Sequence, residues 1–262
     1  MFPYKLIVLD LDGTLLNSQK KISVGNLTAL RNARENGVSV AFSTARSVGA
    51  MREYIAAVQP DILISNGGAL VERNGEVLFK RELSAENTRY IINRCLELSA
   101  GRCEVTVDTE QGYFWNCKPD SSSAGLIIPD NVRYSDFLNF DLPAYKVTAE
   151  VEREQDAQAL AAEISDCGTL SFRGEIWRRF AHVEATKRHA LEYICGALSI
   201  APKEILAFGD DYNDIEMLEF CTGVAMGNAL PEVKAVAEYV TDTNDNDGVA
   251  GLLNELQLNN KF

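Results

Sequence analysis

Several short apolar runs in this chain stop abruptly at residues able to do chemistry. Leu6 to Leu9 runs into Asp10-Leu11-Asp12-Gly13-Thr14, Val38 to Phe42 into Ser43-Thr44-Ala45-Arg46, and Ile205 to Phe208 into Gly209-Asp210-Asp211-Tyr212-Asn213-Asp214. Apolar runs of this length read as buried strands, the habit of parallel sheets. In an open parallel sheet the carboxyl ends of the strands share one edge, and ligands bind there. The runs thus point to an α/β fold that gathers its polar strand ends at one rim.

Helix signals lie between the runs. Ser23 is an N-cap for a helix near 23–36 that Gly37 stops, and a helix near 47–57 precedes a strand over 61–65. From Ala69 the texture changes. Leu70 to Arg73 and Glu76 to Lys80 flank Asn74-Gly75, the signal of a hairpin with a type I′ turn. A helix near 84–99, strand-like runs over 104–108, 112–118 and 145–152, a helix near 154–166 and strands around 170–173 and 177–183 follow, while 119–143 has little periodicity. Alternation resumes with a helix from Lys187, the strand at Ile205, a helix after Asn213, a strand through 224–226 and a helix near 247–257. The expected organisation is a doubly wound parallel α/β core over 1–80 and 184–262, with an inserted α+β domain over 81–183.

Convergence of the acidic strand ends has a chemical consequence. Four or five carboxylates in one place repel each other unless a cation sits among them, and hard oxygen ligands favour magnesium, which takes one or two carboxylates and keeps several waters. Thr44 and Arg46 bring a hydroxyl and a guanidinium to a strand end, and both can hold a phosphate oxygen. Lys187 stands at the start of a helix shortly before the second acidic strand. Singly, these signals have ordinary readings as a strand exit, a helix cap and a solvated lysine; together they describe a site.

In this order the elements resemble the haloacid dehalogenase (HAD) superfamily of phosphohydrolases, in its Cof-type branch with a C2-type cap inserted after the third core strand. Asp10-Leu11-Asp12-Gly13-Thr14 fits the first motif of that family, Thr44 its second, Lys187 its third, and Gly209-Asp210-Asp211 with Asn213-Asp214 its fourth. Ser65-Asn66-Gly67-Gly68 looks like the Asn-Gly sequence with which the family leaves the core. Arg188 and Ala45 depart from the pattern, each standing where the family usually has glycine.

The resemblance implies a Rossmann-like core of the HAD fold and a Mg2+-dependent phosphatase of small phosphorylated metabolites, sugar phosphates first, working through an aspartyl-phosphate. It implies Asp10 as nucleophile and Asp12 as acid and base. Thr44 and Lys187 would act on the phosphate, with Gly13, Arg46, Asn66 and Asn213 around it. Asp10, Asp12, Asp210 and Asp214 would hold the metal, Asp12 through its backbone carbonyl. A phosphotransferase or mutase on the same core, a phospho-accepting signalling module and a silent sugar-phosphate binder are the competing readings.

Composition narrows the rest. A formal charge of −13 over 262 residues argues against binding nucleic acid through its backbone. The apolar stretches are too short to span a membrane, which excludes ion-pumping relatives, and no secretory pattern precedes the first strand, so a cytoplasmic location is expected. Six cysteines without metal spacing read as reduced structural thiols, and His182 and His189 are too few for zinc. Selectivity is expected from the inserted domain, where Arg173, Arg178, Arg179, Trp115 and Trp177 could reach a polar leaving group and Asp120 to Gly125 reads as a loop. Oligomeric state has no signature in the chain.

Overall fold

The structure, a computed structural model, describes residues 3–118, 132–171 and 176–259. The chain forms two compact units, Met1–Phe79 with Thr186–Phe262, and Lys80–Ala185. The first opens with β1 (Leu6–Leu9), α1 (Val24–Glu35), β2 (Ser39–Ser43), α2 (Arg52–Val58), β3 (Ile62–Ser65) and the hairpin β4 (Leu70–Arg73) to β5 (Glu76–Lys80). The second contains α3 (Ala85–Leu98), β6 (Val105–Thr109), β7 (Gly112–Trp115), β8 (Val132–Tyr134), β9 (Lys146–Glu150), α4 (Glu154–Ala162), β10 (Cys167–Ser171) and β11 (Trp177–His182). The first then resumes with α5 (Lys187–Leu198), β12 (Ile205–Gly209), α6 (Ile215–Phe220), β13 (Thr222–Ala225), α7 (Pro231–Val236), β14 (Tyr239–Val240) and α8 (Gly248–Asn259).

The first unit is an eight-stranded sheet in the order β14-β13-β12-β1-β2-β3-β4-β5. From β14 to β3 neighbouring strands are parallel, and β4 turns back antiparallel on β3. Every residue of β1 is fully buried, as a central strand covered on both faces must be. Asn74 and Gly75 both take positive φ, 52° and 82°, the I′ geometry that sends β4 back as β5. The second unit holds a six-stranded sheet, β10-β11-β9-β6-β7-β8. Its own apolar cluster includes Val105, Val107, Val147, Ala149 and Phe180.

The α/β core with an α+β insert is as the sequence pattern implies, with local differences. The helix expected near 47–57 is a 3-10 turn, Val48–Met51, that passes into α2. The hairpin where the texture changes extends the edge of the first unit's sheet, because β4 finds its hydrogen bonds on β3. Three elements had no visible signal: β8, α7 and β14 are three, six and two residues long, too short to write a period. Arg173 and the segment Asp120 to Gly125 lie outside the described residues.

Candidate active site

β12, β1 and β2 are adjacent strands, paired so that Leu9 is level with both Phe42 and Phe208. The next residues of β1 and the turns after β2 and β12 therefore deliver Asp10, Thr44 and Asp210 to one rim. The Asp10 N–H bonds the Phe208 carbonyl at 3.1 Å, fixing the exit of β1 against β12. α5 begins at Lys187, with Thr186 as N-cap accepting from the His189 N–H. Two glycines make the approach of these segments possible. A Cβ on Gly13, whose φ is +80°, would fall 2.3 Å from Asp210 Oδ2, and one on Gly68, at φ +101°, would fall 2.1 Å from the Thr186 carbonyl oxygen.

Lys187 is the electrostatic centre. Its Nζ donates to Asp10 Oδ1 at 2.7 Å and to Asp214 Oδ1 at 2.5 Å, with only 2% of the residue exposed. Burial alone would lower its pKa; the two carboxylates overturn that and hold the ammonium well above its ordinary range. Asp10, Asp210 and Asp214 each place a carboxylate oxygen within 4.8 Å of the others. Three carboxylates against one ammonium leave two negative charges in a buried space, the charge of one divalent cation. That excess acts back on the acids themselves. Burial drives Asp10 well above its usual value; Lys187 pulls it back only in part, and Asp214 and Asp210 add to the rise. Burial and the Asp214 charge push Asp210 up to about 7.

The carboxylates are not equivalent. Asp214 is fully buried with both oxygens spent, Oδ1 on Lys187 and Oδ2 on the Asp210 and Asp211 N–H groups at 3.0 and 3.2 Å. Asp210 accepts the Thr14 hydroxyl on Oδ1 at 2.9 Å, and Asp10 accepts Lys187 on Oδ1. One oxygen of Asp10 and one of Asp210 are thereby left for a cation, a donor set that fits a hard divalent ion.

Asp12 stands apart from this group. Its carboxylate is not in the three-acid set; Arg46 and Lys20 grip it, Lys20 Nζ at 2.7 Å from Oδ1. The metal reading of Asp12 is therefore confined to its backbone carbonyl. Arg46, expected on phosphate, is turned onto Asp12 instead, because the carboxylate offers its planar fork two oxygens. The remaining candidates cluster nearby in different ways. Thr44 is 1% exposed and its hydroxyl oxygen accepts the Arg46 N–H at 3.2 Å, which leaves its O–H free to donate. Asn66 takes φ +53° and bonds the Arg46 carbonyl through its N–H. The side-chain carbonyls of Asn66 and Asn213 are buried without a hydrogen-bond partner among the described residues. Gly13 accepts Asn228 Nδ2 on its carbonyl at 2.8 Å.

Three contributors went unread in the sequence. Thr14 bonds Asp210 across 196 positions, and Lys20 and Asn228 are lone polar residues whose targets only the fold reveals. Arg188 pairs with Glu192 at 2.9 Å on an exposed helix face and lies over the Phe220 ring. None of the six cysteines is in a disulfide, and burial pushes Cys95 and Cys167 up to about 12, so these two stay as inert thiols.

Comparison with known proteins agrees with this geometry. A family described as haloacid dehalogenase-like hydrolase matches residues 7–253. The phosphatase YwpJ of Bacillus subtilis is 28% identical over 96% of this chain and 99% of its own. The 5-amino-6-(5-phospho-D-ribitylamino)uracil phosphatase YitU of the same organism is 31% identical over 97% of both. A haloacid dehalogenase-like hydrolase of Bacteroides thetaiotaomicron superimposes with a TM-score of 0.83 at 27% identity, over 97% of this chain and 99% of that one. Among the described residues no helix is long and apolar enough to cross a membrane. The chain belongs to the haloacid dehalogenase-like hydrolases, as an enzyme of the phosphatase type.

Proposed function

We propose that this protein is a magnesium-dependent phosphatase of small phosphorylated metabolites, working through a phosphoryl group carried on Asp10. The observation that carries the reading is the set of buried Asp10 and Asp214 and half-buried Asp210 around Lys187, two charges short of neutral. Asp10 and Asp210, with the Asp12 backbone carbonyl, are the groups that would hold the ion. Asp214 orients Lys187 and the backbone of the turn after β12. When bound, the ion supplies positive charge to the phosphate oxygens and to the attacking carboxylate.

The chemistry then falls to this chain's residues. A carboxylate oxygen of Asp10 attacks phosphorus; that O–P bond forms as the ester O–P bond breaks. Asp12 gives its proton to the departing alkoxide, then removes one from the water that attacks the aspartyl-phosphate, and inorganic phosphate leaves as the Asp10 carboxylate is restored. Lys187 and the Thr44 hydroxyl stabilise the charge spread over the phosphoryl oxygens, and the Asn66 and Asn213 amides complete the surround. The second unit, Lys80–Ala185, selects the leaving group. YitU, whose name specifies a phosphate ester on a ribityl chain, supports a sugar or sugar-alcohol phosphate as the class. Six cysteines outside disulfides support a reducing, cytoplasmic setting.

The test is phosphate release from an aryl phosphate and from hexose, pentose and nucleotide monophosphates, with magnesium and with chelator. Magnesium-dependent release, abolished in Asp10→Asn, is the expected result. Folded protein that releases phosphate from none of them would overturn the reading.

A further inference from the structure

The stretch after Asp12 is tied back onto the site at several points. Leu16 bridges onto Asp12, with its N–H on the Leu11 carbonyl at 2.9 Å, so the backbone around Asp12 moves with residues 13–16. Asn17 then folds 17–21 into a tight turn, its side-chain carbonyl accepting the Gln19 and Lys21 N–H groups at 3.0 and 2.9 Å. Thr14 reaches Asp210 from this stretch, and Lys20 reaches Asp12. Burial of Leu15 and Leu16 seats it on the core, but apolar contact has no direction. Direction comes from hydrogen bonds.

Those bonds arrive from segments more than two hundred residues later. Asn228, in the loop after β13, donates through Nδ2 to the Gly13 carbonyl at 2.8 Å and accepts the Asn244 N–H on Oδ1 at 2.9 Å. Asn244, in the 3-10 turn Asn244–Asn246 after β14, donates through Nδ2 to the Leu16 carbonyl at 2.8 Å. Asp245 of the same turn accepts the Ser18 N–H at 2.8 Å. A single chain of bonds therefore runs from the carbonyl that follows Asp12, through both asparagines, to the carbonyl of the residue bridged to Asp12. Asn228 is exposed and Asn244 half-buried, so neither is there to fill the core. Each contributes an amide N–H₂ that a carboxylate or an apolar side chain cannot supply.

We infer that Asn228 and Asn244 are positioning residues, which fix the backbone on both sides of Asp12 so that its carboxyl meets the leaving oxygen. Their hold on residues 13–21 is independent of the phosphatase reading; its service to proton transfer rests on that reading. Phosphoryl transfer to Asp10 needs the aim of Asp12 only when the leaving group needs a proton, and this separates positioning from general support of the fold.

Rapid-quench measurement of the first phosphoryl transfer to Asp10, with the full chain and magnesium, tests this. The esters are para-nitrophenyl phosphate, whose phenolate leaves without a proton, and the sugar phosphate that the unaltered protein turns over fastest. In Asn228→Ala and in Asn244→Ala the rate from the sugar phosphate is expected to fall about tenfold or more, while that from the aryl ester changes by less than about twofold and KM is kept for both. Asn246→Ala, in the same turn but with its Nδ2 on Asp242 Oδ1 at 3.2 Å, keeps both rates. Either asparagine variant suffices should the other not fold. An equal fall for the two esters overturns the inference, as does no fall for either, or a fall that Asn246→Ala shares. If no ester phosphorylates the unaltered protein, the phosphatase reading has failed; if only the aryl ester does, that reading stands. In both cases amide hydrogen exchange decides the hold on the loop. Exchange over 14–21 that quickens about tenfold in Asn228→Ala and Asn244→Ala, but not in Asn246→Ala, upholds it, and unchanged exchange overturns it.

Discussion

Arg46 closes on Asp12 as a fork, Nε donating to Oδ2 and Nη2 to Oδ1, each at 2.7 Å. Its Nη1 is spent on the Ala50 carbonyl, and the guanidinium lies 5.3 Å from the Tyr54 ring centroid. The Tyr54 hydroxyl in turn donates to the carbonyl of Lys20, the second cation on Asp12. Burial alone would raise Asp12; the hydrogen bonds from Arg46 and Lys20 outweigh it and hold the carboxyl below its ordinary range. A group that must act as both acid and base is thereby set towards the base, and proton donation requires the fork to loosen.

Replacing Arg46 separates orientation from acidity. Arg46→Met lets the Asp12 pKa rise, so the alkaline limb of the kcat/KM profile moves to higher pH, while turnover falls by about 10²-fold because the carboxyl is no longer aimed. Arg46→Lys, a point charge without a fork, lies between. The stability sign is opposite to that of a raised acid: a depressed Asp12 pKa contributes above the unfolded value and is lost as pH falls through the folded one, so Arg46→Met melts earlier at neutral pH. Steady-state pH profiles and thermal melts read both effects. An unmoved limb would assign the titrating acid elsewhere.

Lys187 is a different kind of residue, since its removal strips the counter-charge from two buried acids. Lys187→Met should cost about 3–5 kcal/mol in metal-free protein. Magnesium should restore much of that stability without restoring turnover, because the ion replaces the charge but not the donor to phosphate. Denaturant titrations with magnesium and with chelator, beside activity, are the measurement. Recovery of activity together with stability would contradict a direct role on phosphate.

Metal-free protein should also respond to pH in an unusual direction. Asp210 stands at about 7, and Asp10 is raised as well, so between about pH 4 and 7 the folded state keeps protons that the unfolded chain has released. More protons bound in the folded state means that stability falls as pH rises through that window. The melting temperature in chelator is expected to drop from pH 5 to 7.5. With magnesium the drop shrinks, because the ion binds the charged carboxylates. Equal slopes in the two conditions would mean that no cation sits among these acids.

Glycine substitutions discriminate close approach from mere backbone geometry. Gly13 and Gly37 have nearly the same φ, +80° and +83°, but a Cβ on Gly13 runs into Asp210 while one on Gly37 meets nothing within 4 Å. Gly37→Ala should cost about 1–2 kcal/mol, the left-handed penalty alone, and leave activity intact. Gly13→Ala carries the same penalty and displaces Asp210, so turnover falls by orders of magnitude with magnesium affinity. Melts and magnesium titrations of the pair test this.

Much of this site was legible because strand ends are written contiguously. Asp10, Thr44 and Asp210 each follow an apolar run, and the sheet topology does the rest. What was hidden depends on distance or parity. Arg46 could be placed at a strand end, but its choice of Asp12 over phosphate is decided by a contact 34 positions away. Arg178 and Arg179 are adjacent and alike in sequence, and only the pairing of β11 with β9 sends one to the apolar face and the other to the polar one. Lys20 and Asn228 carry no local pattern at all.

The division of labour between Asp10 and Asp12 predicts a leaving-group dependence. An aryl phosphate departs as a weakly basic phenolate and needs no proton, whereas an alkyl ester departs as an alkoxide that does. Asp12→Asn should therefore still transfer phosphoryl from para-nitrophenyl phosphate to Asp10, then stall, because an amide cannot take a proton from the attacking water. Intact-protein mass spectrometry of acid-quenched enzyme should find one added phosphoryl group with the aryl ester and none with glycerol 1-phosphate. Asp10→Asn should accumulate none with either. Equal accumulation from both esters in Asp12→Asn would show that the leaving oxygen receives its proton from another group. Turnover at the unaltered rate would remove Asp12 from the second step as well.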